Sequence, residues 1–372
     1  MSQENQMDSK TNKRQSFFHW PENLFIDVAI DLGTTKTLIA SKEGKIEIQE
    51  SSVAAVNIKT GQILAIGNEA YLMLGKTPGH ISAVRPLKGG VISDFEITEK
   101  MLRAFFNKLE LQKGEGFNFF PFKRIRAVIN IPCGGTEVEK KAVEDVGRNA
   151  GAHEVKLVES PLAIAIAAGV PVLEPGGNLV VNIGGGVTEA AIISLGGVVV
   201  FRSVRVAGDK LNSDIIQYVR DKFKMAIGEA TAESIKLAIG SALETGSRQS
   251  MAIRGRDLTC GLPKEVKITD DDVRVAINGS LQTIIKNIKN TIENTPSELV
   301  ADVMDKGIIL AGGGSLLNGL DKLIAAETEL PVHLIEDPTA AVIKGMVRII
   351  NNRHNLSTVL IDINEEDSKI NY

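Results

Sequence analysis

Cysteine is scarce in this chain of 372 residues, which has only Cys133 and Cys260. The two lie far apart and lack the spacing of metal ligands, so neither a disulfide framework nor a zinc site is predicted, and a reducing cytoplasm is expected. Long apolar runs are lacking as well. The longest, residues 162–170, is too short to cross a bilayer, and residues 1–16 lack the apolar core of a signal peptide.

Charge of one sign does not accumulate, because 42 Lys and Arg residues oppose 46 Asp and Glu residues, giving a formal net charge of −4. The chain lacks the excess of positive charge that is typical of nucleic-acid-binding proteins, and nucleic acid is not predicted as a partner. Apolar residues are plentiful instead: they make up 43% of the chain, and its length favours two domains. Strand-like apolar runs alternate with amphipathic stretches, which predicts an α/β fold with mixed sheets.

The periodicity also predicts individual elements in the second half of the chain. Helices are expected at residues 211–223, 232–243 and 270–293, with a loop-rich stretch at 244–267 before the last of them. Residues 351–372 are mostly polar, and their pattern predicts no element.

Two strand–turn–strand segments can be laid over each other: residues 27–40, DVAIDLGTTKTLIA, and residues 178–192, NLVVNIGGGVTEAAI. In each, an apolar run ends at a polar residue, Asp31 or Asn182, and a tight turn of small residues leads to a second apolar run. Glycine lets backbone N–H groups come close to an anion, so two such turns can hold the phosphates of a nucleotide from both sides. The pattern predicts a two-lobed ATPase.

Asp31, at the end of the first apolar run, is a candidate to hold Mg²⁺ through water, although an aspartate in this position can also cap a turn. A third glycine turn favours the magnesium role, because Gly312, Gly313 and Gly314 follow another apolar strand. Lys36 lies in the first turn, where it can reach a phosphate as a point charge or remain a solvated surface lysine.

Two acidic positions have both a structural and a functional interpretation. Thr136 and Glu139 have capping-box spacing at a helix start, but a carboxylate there can also orient or deprotonate an attacking water. Glu233 and Lys236 share a helix face at i, i+3 spacing, which suits a surface ion pair or contact with a ribose.

Phenylalanine is concentrated in one short loop, with Lys123 and Arg124 directly after it. Its members are Phe117, Phe119, Phe120 and Phe122. Burial in the core is one interpretation. The other is insertion into an anionic membrane, because exposed aromatic side chains beside basic ones suit the headgroup region. Lys13, Arg14, Phe17, Phe18 and Trp20 near the N-terminus have the same chemistry.

From about residue 26 to 350 the chain resembles the MreB-like bacterial actins and, more widely, the actin, heat-shock chaperone and sugar kinase ATPase superfamily. The segments DLGTTKT, IPCGGTEVEKKAV, NIGGGVTEAAIISLGG and AGGGSLLNGLDKLI carry the wider likeness. RPLKGGVISDF and IGEATAESIKLAIGSA are similar to the MreB-like proteins in particular. The resemblance implies an actin-like fold of two duplicated α/β domains, with ATP and Mg²⁺ in the cleft between them. It further implies self-assembly into filaments on the inner face of the cytoplasmic membrane, together with wall-elongation and membrane-anchor proteins, to organise cell-wall synthesis and rod shape.

The resemblance also assigns residues to roles. Asp31, Gly33, Thr34, Thr35 and Lys36 match the first phosphate loop, and Asn182, Gly184, Gly185, Gly186 and Thr188 match the second. Glu139 matches the catalytic glutamate, Glu233 and Lys236 the nucleotide-contacting helix, and Gly312, Gly313 and Gly314 the adenosine loop. The phenylalanine loop falls where some family members carry a membrane-inserting loop.

Three positions depart from the family pattern. MreB-like sequences usually have Asp where this chain has Asn182, Thr where it has Val187, and Asn where it has Lys36. An amide can still bond a metal-bound water, but it carries no charge and cannot accept a proton. We therefore expect ATP binding with slowed hydrolysis.

Domain boundaries follow from the same match. We expect a tail at 1–23 with a membrane-contacting end, domain I at 24–170 and domain II at 171–340. Smaller subdomains are expected at 61–94 and about 207–300, a helix returning to domain I at 341–350 and a polar C-terminal tail at 351–372. Three other functions share this scaffold: a small-molecule kinase, a chaperone-type ATPase, and a filament that positions plasmids or organelles. A kinase would need a separate group of carboxylates at an acceptor-binding pocket, and the sequence shows none. A chaperone would need a peptide-binding domain, and none is expected here.

Overall fold

The structure, a computed structural model, describes residues 25–112, 124–244, 246 and 248–362. The predicted membrane-contacting residues Phe117, Phe119, Phe120 and Phe122 lie outside this part of the chain. So do the predicted tail at 1–23 and residues 363–372.

The first half of the described chain alternates strands with helices. Its strands are β1 (Phe25–Leu32), β2 (Lys36–Ser41), β3 (Ile46–Ser51), β4 (Ala54–Asn57), β5 (Ile63–Ile66), β6 (Ile81–Val84), β7 (Leu87–Lys88), β8 (Val91–Ile92), β9 (Arg124–Ile131) and β10 (Ala152–Glu159). Its helices are α1 (Asn68–Leu72), α2 (Phe95–Gln112), α3 (Glu137–Ala150) and α4 (Ser160–Ala167).

The second half has the same alternation. Its strands are β11 (Asn178–Ile183), β12 (Thr188–Ser194), β13 (Gly197–Val204), β14 (Met225–Ala226), β15 (Ser250–Asp257), β16 (Pro263–Thr269), β17 (Ile308–Ala311) and β18 (Val332–Leu334). Its helices are α5 (Gly208–Phe223), α6 (Glu229–Ile239), α7 (Asp270–Glu293), α8 (Ser297–Lys306), α9 (Leu320–Thr328), α10 (Ala341–Asn351) and α11 (Arg353–Leu356).

The two large sheets repeat one arrangement. In the described chain, the first has the order β10-β9-β1-β2-β3 and the second, read from its other edge, β18-β17-β11-β12-β13. In each, the central strand pairs antiparallel with its hairpin partner and parallel with the strand on its other side. Both sheets are therefore mixed, as predicted, and the equivalence of β1–β2 to β11–β12 gives the sequence likeness of the two segments a structural basis.

One hydrophobic cluster joins the two sheets. Val128 of the first sheet and Val180 of the second belong to it, together with the apolar faces of α4 and α10. Gly345 allows these two helices to approach closely, because a Cβ atom there would lie 1.8 Å from the carbonyl oxygen of Ala163. Helix α10 therefore fills the space between the halves although it comes late in the sequence.

Three small sheets lie outside the main ones in the described chain, in the orders β5-β4-β6, β14-β15-β16 and β7-β8. The second of these corrects the sequence-based expectation: the stretch predicted to be loop-rich is largely a hairpin, with Ile253 opposite Val266. Charged residues such as Arg254 and Glu265 alternate with only a few apolar ones, so the pattern of a half-buried strand was weak. Helix α6 likewise ends at Ile239 instead of continuing to 243.

Part of the polar C-terminal segment is placed by the structure. Helix α11 is followed by a bridge in which Ile361 pairs antiparallel with Leu157 on the outer edge of β10. Ile361 packs against the core of the first sheet, which explains why a mostly polar segment returns to it. The predicted domain boundaries themselves stay predictions.

Candidate functional site

The first glycine turn is the connection of β1 to β2. Asp31 pairs with Leu38, and the turn closes with a hydrogen bond from Gly33 N to the carbonyl oxygen of Lys36 at 3.1 Å. A Cβ atom at Gly33 would lie 2.6 Å from that oxygen, so only glycine allows this turn. The hydroxyl of Ser52 donates to the Gly33 carbonyl at 2.6 Å and fixes the turn from behind.

The second glycine turn has the same closure and lies against the first. Gly184 N donates to the carbonyl oxygen of Val187 at 3.0 Å. A Cβ atom at Gly185 would lie 1.8 Å from Thr35 Oγ1, and one at Gly186 would lie 2.6 Å from Thr34 Oγ1. The two hairpins, one from each large sheet, are thus in contact at their turns, and larger residues cannot replace these glycines without separating them.

A cavity of about 670 Å³ opens where the turns meet. Most of the sequence-predicted nucleotide residues line it. They are Asp31, Gly33, Thr34, Thr35, Lys36, Asn182, Gly184, Gly185, Gly186, Glu233, Lys236, Gly312, Gly313 and Gly314. A volume of this size suits a small organic ligand, and the polar groups come from both halves of the chain.

Thr188 and Glu139, which the sequence assigned to the site, are not among the described residues that line the cavity. Thr188 is fully buried, and its hydroxyl donates to the carbonyl oxygen of Val206 at 2.7 Å. Glu139 takes part in the capping box of α3, where its Oε2 accepts hydrogen bonds from Thr136 N at 2.8 Å and from Thr136 Oγ1 at 3.1 Å. In this conformation Glu139 therefore caps helix α3. The catalytic role of Glu139 stays a prediction.

Asp31 lines the cavity in an environment that disfavours the ionised form of its carboxyl group. Burial raises the pKa of Asp31 to about 7, although a hydrogen bond with the Asn130 side chain acts in the opposite direction. Asn130 is itself held in place, because its Oδ1 accepts from Leu32 N at 2.7 Å. A carboxylate in this state gains much from a nearby cation, which would restore its ionised form.

Glu189 is a buried carboxylate that the sequence-based assignment missed. It is 1% exposed, and its Oε1 accepts from Cys133 N at 2.8 Å while its Oε2 accepts from Asn182 Nδ2 at 3.2 Å. Burial raises its pKa to about 7, and the negative charges of Glu159 and Asp31 add to the effect. The signal in the sequence was a single acidic residue inside an otherwise apolar strand, next to Thr188.

The contact of Glu189 with Cys133 joins the two halves. Cys133 belongs to the turn that leads from β9 into α3, in the first half, whereas Glu189 lies on β12 in the second. Phe201 of β13 covers the same turn, so closely that a Cβ atom at Gly134 would lie 2.3 Å from its ring. The turn that carries Glu139 is therefore positioned by the second sheet.

The far wall of the cavity contains the acidic and basic pair on α6. Lys236 Nζ lies 2.7 Å from Glu233 Oε2 and 3.1 Å from the Gly208 carbonyl oxygen, and Asn212 Nδ2 donates to the same glutamate at 2.6 Å. Burial alone would raise the pKa of Glu233, but these contacts outweigh it and the pKa is lowered. The expected ion pair is present, and both residues also face the cavity.

An ion pair links the two halves of the chain near the cavity. Arg85 Nη2 lies 2.5 Å from Glu229 Oε1, linking the segment after β6 to the first turn of α6. Asp209, which lines the cavity nearby, has its pKa raised by burial, with the positive charge of Arg85 opposing the shift. Neither Arg85 nor Asp209 was assigned from the sequence, because their proximity depends on the fold.

The third glycine turn, at residues 312–314, lies against Asn182 at the start of the second glycine turn. Gly312 has a positive φ of 87°, and a Cβ atom there would lie 2.6 Å from Asn182 Oδ1. Asn182 is thus held between Gly312 and Glu189.

The donor set fits a nucleotide with a hydrated divalent cation. Backbone N–H groups of glycine turns bind phosphates, and Asp31 can hold a cation through its waters. Within the described residues, no group of three or more His, Cys, Asp or Glu side chains is arranged to hold a metal ion directly, so phosphate oxygens would have to complete the coordination.

Comparison with known proteins gives a consistent result. A family model described as MreB/Mbl protein matches residues 25–358. The cell shape-determining protein Mbl of Bacillus subtilis (strain 168) is 42% identical over 330 residues, covering 89% of this chain and 97% of that protein. The cell shape-determining protein MreB of Escherichia coli (strain K12) is 42% identical over 323 residues, covering 86% and 91%.

Solved structures agree with the sequence relatives. The crystal structure of MreB5 of Spiroplasma citri bound to ADP superposes with a TM-score of 0.83 at 35% identity, covering 90% of this chain and 98% of that one. The same protein bound to AMPPNP also gives 0.83. The expected actin-like α/β fold is confirmed by these likenesses, and the chain belongs to the MreB/Mbl family.

Proposed function

We propose that this chain binds Mg-ATP between its two glycine hairpins and, in that state, polymerises into filaments that organise cell-wall synthesis and cell shape. The observation that carries the proposal is the contact of the two turns, Thr34 and Thr35 against Gly185 and Gly186, at the edge of one cavity. The likeness to a protein crystallised with ADP and with AMPPNP supports a nucleotide as the occupant.

The predicted residues that line the cavity have separate roles in this proposal. Backbone N–H groups of the turns at Gly33 and Gly184 hold the phosphates, and Lys36 adds a positive charge. Thr35 Oγ1 is buried and finds no hydrogen-bond partner in the part of the chain that the structure describes, which suits a hydroxyl that turns toward an incoming polar group. Glu233, Lys236 and the turn at Gly312, Gly313 and Gly314 contact the nucleoside.

Magnesium, when bound with ATP, neutralises phosphate charge and supplies a Lewis acid at the transferred phosphate. Asp31 is the residue proposed to orient its waters. The raised pKa of Asp31 is consistent with this role, because the nearby cation would remove the cost of its buried charge.

Hydrolysis is proposed to be slow. Asn182 cannot accept a proton, and Val187 has no hydroxyl with which to hold an attacking water. Glu139 must leave the Thr136 hydrogen bonds before it can orient or deprotonate a water. A slow step would prolong the ATP-bound filament.

The polymerisation proposal is tested with purified protein on lipid. With Mg-ATP, electron microscopy should reveal filaments, and chelation of the metal by EDTA should abolish them. Soluble monomers that consume a sugar in the presence of ATP would contradict the filament and favour the kinase alternative.

Membrane contact through the phenylalanine loop and the N-terminal tail is also proposed, at the inner face of the cytoplasmic membrane. No helix within residues 25–112, 124–244 and 248–362 is long and apolar enough to cross a bilayer. Phe25 and Arg124 are paired neighbours on β1 and β9, so the two predicted lipid-contacting segments join the sheet side by side. The guanidinium of Arg126 lies 4.5 Å from the centroid of the Phe25 ring, and its charge is paired with Asp27 at 2.7 Å.

Co-sedimentation with anionic liposomes tests the membrane proposal. Changing Phe119→Ser and Phe120→Ser together should sharply reduce pelleting, because each ring contributes buried apolar area. The matched control is Phe201→Ser, at a part-exposed phenylalanine of β13 in the other half of the molecule. Equal loss in both variants would contradict a specific role for the loop.

A further inference from the structure

The outer edge of β10 is an incompletely covered strand edge. β9 covers its inner side, and on the outer side Leu157 exchanges two backbone hydrogen bonds with Ile361, at 3.2 and 2.8 Å. Backbone groups of alternate residues point to the same edge of a strand, so those of Val155 point outward as well. Such an edge is a template for pairing with another extended segment.

The segment that pairs with Leu157 runs toward the amino-terminal end of β10. The bridge is antiparallel, so residues after Ile361 proceed from Leu157 toward His153. Asp362 forms an ion pair with Lys156, as this direction requires. If the register continued, Ile363 would face Val155 and Glu365 would face His153.

The sequence beyond Asp362 suits this continuation. Ile361, Asp362, Ile363 and Asn364 alternate between apolar and polar, which is typical of a strand with one buried face. Val155 and Leu157 are both buried on the face that Ile361 helps to cover, and Ile363 would extend that cover. Glu365, Glu366 and Asp367 come next and add three negative charges.

The end of the sheet that this direction reaches carries two arginines. Arg124 Nη1 lies 3.2 Å from His153 Nε2, and the rings of Phe25 and His153 are 5.8 Å apart. Arg148 also approaches, with Nη1 3.1 Å from the His153 carbonyl oxygen, while its Nε lies 2.8 Å from Glu144 Oε1. Acidic side chains arriving here would meet charges of the opposite sign.

We propose that residues 363–367 dock on the outer edge of β10 and that their acidic side chains compete with anionic lipid for this end of the sheet. The lipid part rests on the membrane contact proposed above, because the phenylalanine loop joins the sheet at Arg124. Residues 359–372 follow the segment that the family model matches. The docking segment would therefore lie in a part of the chain that the model does not match. The occupant is the chain's own segment, held in place by continuity with the pairing at Ile361.

Hydrogen exchange of the Val155 amide tests the docking directly. In this register the Ile363 N–H donates to the Val155 carbonyl, so Ile363→Pro removes the bond and should speed Val155 exchange on the order of tenfold or more. The matched control is Ile370→Pro, the same change beyond the proposed contact, which should leave exchange unchanged. Unchanged exchange in Ile363→Pro would overturn the docking. Protection that rises with protein concentration would overturn it too, since a second copy would then be the occupant.

Vesicle binding tests the competition. With vesicles of phosphatidylglycerol and phosphatidylcholine, a chain ending at Asp362 and the triple variant Glu365→Gln, Glu366→Gln, Asp367→Asn should each bind at least about fivefold more tightly than the parent. Equal binding by all three would overturn the competition while leaving the Phe119 and Phe120 result intact. If none of the three proteins bound the vesicles, both the membrane proposal and the competition would be refuted. The hydrogen exchange of Val155 would still decide the docking.

Discussion

At the residue scale, the site depends on glycines whose missing side chains let the two hairpin turns touch. Gly186 is the best single example, because a Cβ atom there would lie 2.6 Å from Thr34 Oγ1 and 2.8 Å from Thr34 Cγ2. The contacted atoms belong to a buried threonine, so they have little freedom to move aside.

We therefore expect Gly186→Ala to weaken nucleotide binding by on the order of tenfold or more, since the turns must separate by part of an ångström. Titration with a fluorescent ATP analogue measures the effect. Gly197→Ala is the matched control, because a Cβ atom at Gly197 would meet no atom of the described residues within 4 Å. A Gly186→Ala protein that binds as tightly as the control would contradict the close contact.

Asn182 is a second residue whose chemistry is specific to this chain. Its amide donates to Glu189, a bond that an aspartate could make only by retaining a proton. Replacement by aspartate would place two carboxyl groups in contact in a buried site, and one of them would have to stay protonated.

The consequence of Asn182→Asp is a stability that depends on pH. A carboxyl whose pKa is raised in the folded state contributes fully below its unfolded pKa, and that contribution is lost as the pH rises through the folded value. Because the pKa of Glu189 is already about 7, we expect the free energy of unfolding of Asn182→Asp to fall below that of the parent increasingly from pH 6 to pH 8.5.

Denaturant unfolding across this range measures the difference without nucleotide. Asn182→Ala provides the comparison, because it removes the donor without adding a charge and should cost about 1.5–3 kcal/mol. Parallel curves for the aspartate and alanine variants would refute the buried carboxyl pair. Phosphate release by Asn182→Asp under polymerising conditions should exceed that of the parent, and equal rates would remove the proposed cause of slow turnover.

At the element scale, helix α3 begins with a capping box that uses the predicted catalytic glutamate. The Thr136 hydroxyl accepts from Glu139 N at 3.2 Å, and the carboxylate of Glu139 bonds back to Thr136. One side chain thus has two candidate tasks, helix capping and water activation.

Two substitutions separate these tasks. Thr136→Ala removes the cap and should lower the free energy of unfolding by about 1 kcal/mol. Glu139→Gln keeps an oxygen for the Thr136 amide, so stability should change by less than about 0.5 kcal/mol while phosphate release falls. Denaturant melts and a phosphate assay distinguish them, and a Glu139→Gln variant with the parental rate of release would leave Glu139 as a cap alone.

The elements also explain how far the sequence could be interpreted. Both hairpins, the start of α3 at Thr136 and the span of α7 were predictable, because apolar runs, glycine turns and capping spacing are local signals. The β15–β16 hairpin was missed because charged residues interrupt the apolar positions of its strands. The role of Glu189 could not be predicted, since it depends on the amide of Cys133, which is 56 residues away in the chain.

At the scale of the whole molecule, the pair of Arg85 and Glu229 joins the two halves near the cavity. Arg85 has a side-chain exposure of 15%, whereas that of Glu229 is 42%. Nε and Nη1 of Arg85 are buried and have no hydrogen-bond partner among the described residues, so within them the guanidinium relies on this contact. A pair in this position resists opening of the cleft.

We expect Arg85→Gln to speed nucleotide dissociation several-fold, with a double-mutant coupling to Glu229→Gln of about 0.5–1 kcal/mol, because the glutamate is screened by solvent. Stopped-flow displacement of a fluorescent nucleotide measures the rate. The coupling should shrink at 1 M salt, where the Debye length is about 3 Å. Strictly additive effects of the two changes would mean that the pair does not restrain the cleft.

The cluster shared by the two sheets has a consequence for biosynthesis. Strands β1 and β9 leave the ribosome early, but α10, which packs with α4 between the sheets, is made only after residue 341. The apolar surface that α10 covers must therefore remain exposed until translation is nearly complete. Domains, by contrast, commonly fold as they emerge from the ribosome. Nascent chains that stall before α10 should consequently be preferred substrates for holdase chaperones and proteases.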